Sequence, residues 1–401
     1  MISREPGPAP RGRFRRRLGP FTAVVAGASC GAATAFAVVA ADGREGNATP
    51  VARSVRQQPK ATERPPAPAD TAGLGRVVPA PARPSARPDR RCHVDRLLVP
   101  SCGAWWGAAV NTWPQGPALR AFERKIGRPV GVYHTYYRGR KIFPSAGDIA
   151  LAREPGRRRL LLLNWKPDAP GTTWRQVADG AVDDHIDRLS KHFRERFPER
   201  FWLAIHHEPE EEVREAPGSG YTAADYRAMF RHVVQRFRRN GVDNAVFTMV
   251  YMGYSGYVVK PWFKTLYPGD DVVDWIGFDP YAEPRVRSFA QLVDEAAPRE
   301  RDLGIAGFYR WSRRNLSDDK PLMLSEWGGT EMTGDPAKKA ELFRSIGRQI
   351  ERFPALKALV YWEHHNGPKF GDTRVDASPQ SLAAYRELGR RPYFNPPVPK
   401  R

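Results

Sequence analysis

From residue 92 onward the chain alternates two kinds of pattern. Short unbroken apolar runs read as buried strands, and stretches with apolar residues every three or four positions read as amphipathic helices. The strand candidates are Leu97–Ala104, Pro129–His134, Leu160–Trp165, Phe201–His207, Ala245–Tyr251, Val272–Phe278, Pro321–Trp327 and Leu356–Trp362. The clearest helix runs from Thr222 to Arg239, where Tyr226, Met229, Phe230, Val233, Val234 and Phe237 share one face. Thr222 with Asp225 three residues later has the form of a capping box, and Gly241 supplies a stop. A second helix is expected from about Trp174 to Arg196, with Ile186, Leu189 and Phe193 on its apolar face. Eight strand–helix units in about 300 residues predict a (β/α)8 TIM barrel. The alternative is an open doubly wound sheet, but no G-x-G-x-x-G follows the first strand.

Two of the apolar runs end on a glutamate. Phe201-Trp202-Leu203-Ala204-Ile205 leads into His206-His207-Glu208, and Pro321-Leu322-Met323-Leu324 leads into Ser325-Glu326-Trp327. By count these are strands four and seven, and in such a barrel chemistry sits at the C-terminal ends of strands. Glycoside hydrolysis needs one carboxylic acid to protonate the leaving oxygen and a second carboxylate to attack the anomeric carbon or activate water. Glu208 and Glu326 are therefore the candidate catalytic pair, with carboxyl groups ~5–5.5 Å apart if configuration is retained. Trp165, Trp327 and Trp362 fall at strand ends, where a flat ring would stack on an apolar sugar face. The rival chemistry is a metal centre built from His206-His207 and Glu363-His364-His365. Adjacent strand residues point to opposite faces, so at most one of each pair could face a common ion. Neither a metal nor another cofactor is expected. A different class of function, a barrel that binds glycan without cutting it, is the alternative; the presence of both glutamates favours the enzyme.

The same stretches carry a resemblance. His207-Glu208, Ser325-Glu326-Trp327-Gly328 and Asp274-Trp275-Ile276-Gly277-Phe278-Asp279-Pro280-Tyr281 resemble motifs of glycoside hydrolase family 26, typified by β-mannanases. Gly180 to Ile186 is a weaker match, and the likeness covers roughly Ala104 to Gly367. It implies a retaining enzyme with Glu208 as acid/base and Glu326 as nucleophile. Tyr281 would orient Glu326, and His207 would help position the sugar or the acid. One departure bears on substrate. The family's mannanases follow the acid/base with Asn-Gly and an aromatic stretch, whereas here Pro209 leads into Glu210-Glu211-Glu212. Mannan, mixed-linkage glucan or another β-linked glycan all stay open. The acidic loop reads as solvated, with a cation site or substrate contact as alternatives.

Composition adds the flanks. Lys and Arg total 64 against 44 Asp and Glu, a net charge of +20. Residues 1–91 alone hold 16 basic and 6 acidic residues, so the predicted barrel is only mildly basic for its size. With no reading motif beside the charge, nucleic acid is not an expected partner; a polysaccharide is, and the protein is expected to be a monomer. Arg11, Arg13 and Arg15 to Arg17 precede an uncharged stretch from Phe21 to Ala41, with Val39-Ala40-Ala41 as a small-residue cleavage site. Those 21 residues could also span a bilayer as an uncleaved anchor. Their Ala- and Gly-rich, weakly hydrophobic character favours the signal peptide. On either reading the rest of the chain is exported, and the N-terminus could tether it to membrane or wall. Residues 42–91 are rich in Pro, Ala, Arg and Thr, too poor in large apolar groups to offset chain entropy, and read as a disordered linker. The division expected is therefore 1–41 signal or anchor, 42–91 linker, 92–391 barrel and 392–401 C-terminal tail. In an exported domain Cys92 and Cys102 are expected to be joined by a disulfide, worth about 3 kcal/mol for so short a loop.

Overall fold

Each apolar run but the first becomes a strand at or near its expected place. The computed structural model describes residues 92–168, 171–282, 286–295, 307–330, 335–365 and 371–399. The expected signal or anchor segment and the linker lie outside them. The strands are β1 (Trp105–Val110), β2 (Val132–Arg138), β3 (Leu160–Lys166), β4 (Phe201–Ile205), β5 (Ala245–Tyr251), β6 (Trp275–Phe278), β7 (Leu322–Gly329) and β8 (Leu356–Glu363). Each pairs in parallel with the next, and β8 pairs with β1, so the sheet closes on itself as a (β/α)8 barrel. A further two-residue strand, Tyr281–Ala282, runs beside the end of β7.

Alternation along these strands makes two cores. Inward-facing Trp105, Val132, Leu160, Leu162, Trp202, Ala204, Val246, Val250, Trp275, Met323, Ala358 and Val360 fill the barrel. Outward-facing residues join the helices in a larger shell, to which the helix Ala223–Arg239 gives every apolar residue expected of it. Its capping box is formed by Thr222 and Asp225. The helix expected from Trp174 to Arg196 is in fact two, Trp174–Ala178 and Asp183–Arg196, broken at Gly180 with φ +96°. That left-handed conformation is one that glycine adopts without cost and that no helix contains.

The first strand was expected at Leu97–Ala104 and lies instead at Trp105–Val110. Asp95 explains the difference. Its Oδ1 accepts the backbone N–H of Leu97 and of Val99, and Leu98 takes φ +62°, so Asp95–Val99 forms a tight turn. Leu98 plugs the N-terminal end of the barrel, and the carbonyls of Leu98 and Leu97 accept the indole N–H of Trp105 and Trp275 at 2.8 and 2.7 Å. The disulfide between Cys92 and Cys102 closes this turn rather than a strand. At the other terminus, Phe394 is buried on Trp106 with ring centroids 4.8 Å apart, and Val398 packs on the barrel interior cluster. The described part of the expected tail is thus built into the barrel.

Candidate active site

The carboxylates reach the C-terminal mouth by two local breaks in strand geometry. β4 ends at Ile205, after which His206 and Glu208 both take left-handed backbone, φ +49° and +51°. Each costs a non-glycine residue on the order of 1 kcal/mol. The kink sends His206 outward against the Trp174 ring, 5.1 Å between centroids, and His207 inward beside Tyr136. Hydrogen bonds from His206 N–H to Trp165 O and from Glu208 N–H to Val250 O tie the turn to strands on both sides.

Glu326 depends on a β-bulge. Leu324 pairs with Leu359 of β8 but Trp327 pairs with Tyr361, three steps on one strand against two on the other. A bulge re-aims side chains. Leu324 and Trp327 both face the outer shell, so Ser325 and Glu326 are left to turn toward the mouth. Asp279, just past β6, holds the bulge: its Oδ1 accepts the Ser325 hydroxyl at 2.6 Å and the Glu326 N–H at 2.8 Å. Gly277 makes room, since a Cβ there would stand 2.6 Å from Ser325 Oγ.

The Glu326 carboxylate is gripped at both oxygens. Tyr136 donates to Oε1 and Tyr281 to Oε2, each at 2.7 Å. Behind Tyr136, His134 Nδ1 lies 3.1 Å from the Ser325 carbonyl and from the Tyr136 hydroxyl. One oxygen each from Glu208, Asp279 and Glu326 lie within 4.8 Å of one another.

Three carboxyl groups this close resist ionising together. Burial, and then the charges of Glu326 and Glu210, push the Glu208 carboxyl well above the usual range. Asp279 is likewise pushed well up, by burial and then by Glu326 and Glu208. Glu326 is also raised by burial, but the two tyrosine hydrogen bonds pull it back down. Both tyrosines, raised far above their ordinary value by burial and the Glu326 charge, stay protonated as donors. Burial and then Lys166 hold His207 well below the usual imidazole value, so it is neutral at pH 7. The arrangement supplies one acid that keeps its proton and one carboxylate that gives its proton up more readily.

The residues proposed from sequence divide cleanly. Glu208, Glu326, Tyr281 and His207 converge at the mouth, and half-buried Trp362 joins them, its ring 5.7 Å from Tyr136. Trp165 and Trp327 do not. Trp165 is wholly buried outside the barrel, its indole N–H bonded to Gly139 O and its ring on Phe143. Trp327 is wholly buried against Trp106, Phe343 and Tyr361. Alternation sets both outcomes. Leu160 and Leu162 face in, so Trp165 faces out; Glu326 faces in, so its neighbour Trp327 faces out. Sequence reading missed Tyr136, Asp279, His134 and Lys166 as site residues. The signal for Asp279 was present in the Phe278-Asp279-Pro280-Tyr281 motif, and Tyr136 stands two residues from inward-facing His134 on β2.

The acidic loop is not simply solvated, as its composition suggested. Glu211 is exposed, but Glu210 is buried with Oε1 accepting the Met252 N–H at 2.8 Å, and burial raises its pKa to about 8. Glu212 pairs with Lys166 at 2.7 Å and lies 3.3 Å from His206 Nε2, which also meets Asp168 at 3.3 Å. Burial would raise Glu212, but His206 and Lys166 outweigh it and hold its carboxyl below the ordinary range. Asp168, His206 and Glu212 offer three ligand atoms within 4.8 Å, the composition of a cation site, yet these atoms already pair with one another through His206 Nε2. Glu363 faces Lys125 and the Val375 N–H rather than the mouth, and His206 faces outward, so the rival histidine centre is not assembled.

No family model matches the chain. Among curated proteins it is similar to endoglucanase H of Acetivibrio thermocellus, 27% identical over 307 residues, which cover 70% of this chain and 30% of that protein. It is also similar to β-1,3-xylanase TXYA of a Vibrio species, 31% identical over 252 residues, covering 55% and 50%. The kinship is with glycoside hydrolases. The alignments span between 30% and 50% of the length of the curated relatives, a third being an Alcaligenes β-1,3-xylanase. Among solved structures, a ruminal GH26 endo-β-1,4-mannanase aligns with TM-score 0.48 and 13% identity over 73% of this chain and 64% of that one. A β-mannanase from a symbiotic protist of the termite Reticulitermes speratus aligns with TM-score 0.49 and 14% identity over 74% and 90%.

Proposed function

We propose that the chain hydrolyses a β-linked polysaccharide with retention of configuration, through Glu208 as acid/base and Glu326 as nucleophile. The supporting observation is the pairing of a Glu326 carboxylate gripped by two tyrosines with a Glu208 oxygen within 4.8 Å. That spacing suits a retaining pair, at ~5–5.5 Å, rather than an inverting one, at ~6.5–9.5 Å. In the first step a Glu326 oxygen bonds to the anomeric carbon while the glycosidic C–O bond breaks, and the Glu208 proton goes to the departing oxygen. In the second, Glu208 takes a proton from water, whose oxygen bonds to the anomeric carbon and releases Glu326. Tyr136 and Tyr281 orient the nucleophile, neutral His207 is placed to hydrogen-bond the sugar or the acid, and Trp362 offers an apolar face beside Tyr136. The substrate is a β-mannan-type or related β-glucan or xylan, and the same reading includes export, with residues 21–41 as signal or anchor.

The test is product release by the full chain from mannan, glucomannan, mixed-linkage β-glucan, β-1,3-xylan and β-1,4-xylan, beside Glu326→Ala. Cleavage of one of these glycans that the folded variant loses is the expected result. Activity that survives in the variant and disappears with chelator would overturn the two-glutamate mechanism.

A further inference from the structure

Glu208 stands on a loop whose two ends meet through side chains. β4 stops at Ile205, and the loop runs from His206 through Glu208 and the 3-10 turn Pro209–Glu211 to Glu212. At its base His206 Nε2 lies 3.3 Å from Glu212 Oε2 and 3.3 Å from Asp168 Oδ2. The other Glu212 oxygen, Oε1, lies 2.7 Å from Lys166 Nζ. Lys166 is the last residue of β3 and Asp168 follows it closely, so the cluster ties both ends of the loop to the neighbouring strand. His206 and Asp168 are buried, Lys166 and Glu212 half-buried. Burial would lower the His206 imidazole, but Asp168 and then Glu212 outweigh it and favour the protonated ring. Two cations then face two carboxylates, and charges taken out of water are tolerated when they are paired in this way. The loop has strain for such a cluster to hold. His206 and Glu208 both take left-handed backbone, φ +49° and +51°, which persists only where the surroundings enforce it.

We propose that Lys166, Asp168, His206 and Glu212 are positioning residues for the acid/base, a clamp that closes the loop at its base and so aims the Glu208 carboxyl at the glycosidic oxygen. This rests on the glycosidase reading. Glu326 is held separately, by Tyr136 on β2 and by Tyr281 and Asp279 beyond β6. Opening the clamp therefore impairs proton delivery to the leaving group and leaves the attack of the nucleophile much less affected. Glu212 belongs to the acidic stretch Glu210-Glu211-Glu212, and the clamp gives its last residue a task at the site.

The test measures kcat/KM for the full chain, Glu212→Gln, Lys166→Met and the double variant. The substrates are the cleaved polysaccharide and an aryl glycoside of the same sugar whose leaving group needs no proton. A displacement of about 1 Å in a reacting group costs on the order of 10²-fold, so each single variant should lower the ratio of polysaccharide to aryl-glycoside kcat/KM about 10- to 100-fold. A merely structural role would lower both rates together and leave the ratio unmoved. The double variant should lose no more than the worse single one, because removing either partner already opens the clamp. Circular dichroism checks folding, and the half-buried position of Glu212 suits the isosteric Glu212→Gln; if Lys166→Met does not fold, that variant decides alone. Unchanged ratios in folded variants, with the unaltered chain cleaving polysaccharide, would overturn this inference and leave the glycosidase reading standing. No cleavage of either substrate by the unaltered chain would overturn both.

Discussion

Glu326 makes three specific contacts: a phenol on each carboxylate oxygen, and its backbone N–H on Asp279, whose same oxygen also accepts the neighbouring Ser325 hydroxyl. The phenols do electrostatic work as well as orientation, since their hydrogen bonds oppose the rise that burial imposes on the carboxyl. Tyr281→Phe should therefore lower kcat/KM about 10- to 100-fold, the worth of a hydrogen bond to a charged group. It should also move the acid limb of the pH–kcat/KM profile to higher pH, because Glu326 then ionises less readily. An acid limb that stays in place would mean that Tyr281 does not tune the nucleophile. Glu208, raised far above an ordinary carboxyl by burial and by Glu326, carries the alkaline limb. Glu208→Ala should lose about 10²- to 10⁴-fold on polysaccharide. The loss should be much smaller for aryl glycosides whose leaving group needs no proton, which steady-state rates on the two substrates would check.

At the scale of elements, unbroken apolar runs mark most of the strands and the 3.6-residue period marks the helix Ala223–Arg239, because the pattern of each is unmixed. The pattern misleads where a local hydrogen bond or a single residue overrides it. Leu97–Ala104 has strand composition, but Asp95 captures two backbone amides and bends it into a plug. Trp165 and Trp327 have the positions of strand-end aromatics, but alternation turns each away from the mouth. The bulge at Ser325-Glu326 leaves no mark that composition could show, and neither does the burial of Glu210. That burial has a consequence for stability. Below about pH 4.5 the Glu210 carboxyl is protonated folded or unfolded; between there and about pH 8 only the unfolded chain releases the proton. Stability is thus lost as pH rises across this window. Glu210→Gln keeps an acceptor for the Met252 N–H and has no proton to lose. It should match the unaltered chain near pH 4.5 and exceed it by about 3–5 kcal/mol near pH 8. Urea unfolding at a series of pH values reads this directly, and a constant difference across the series would contradict it.

In the molecule as a whole, the two ends of the barrel do separate jobs. The N-terminal end is closed by Leu98 and by tryptophans packed edge to face, Trp105, Trp202 and Trp275, while the C-terminal end gathers the carboxylates. Removing the disulfide with Cys92→Ser and Cys102→Ser should cost about 3 kcal/mol by loosening the plug, measured by denaturant unfolding, and should leave kcat nearly untouched. A matching collapse of kcat would mean the two ends are linked more tightly than the packing suggests. The central claim concerns the other end, and one measurement addresses it most directly. A 2-deoxy-2-fluoro glycoside with a good leaving group, matched to the glycan that the chain cleaves, should accumulate the glycosyl–enzyme; peptide mass spectrometry then locates the sugar. The account predicts the label on the peptide containing Glu326, with product first released in the retained configuration. Inverted product, or a label on any other residue, would contradict it.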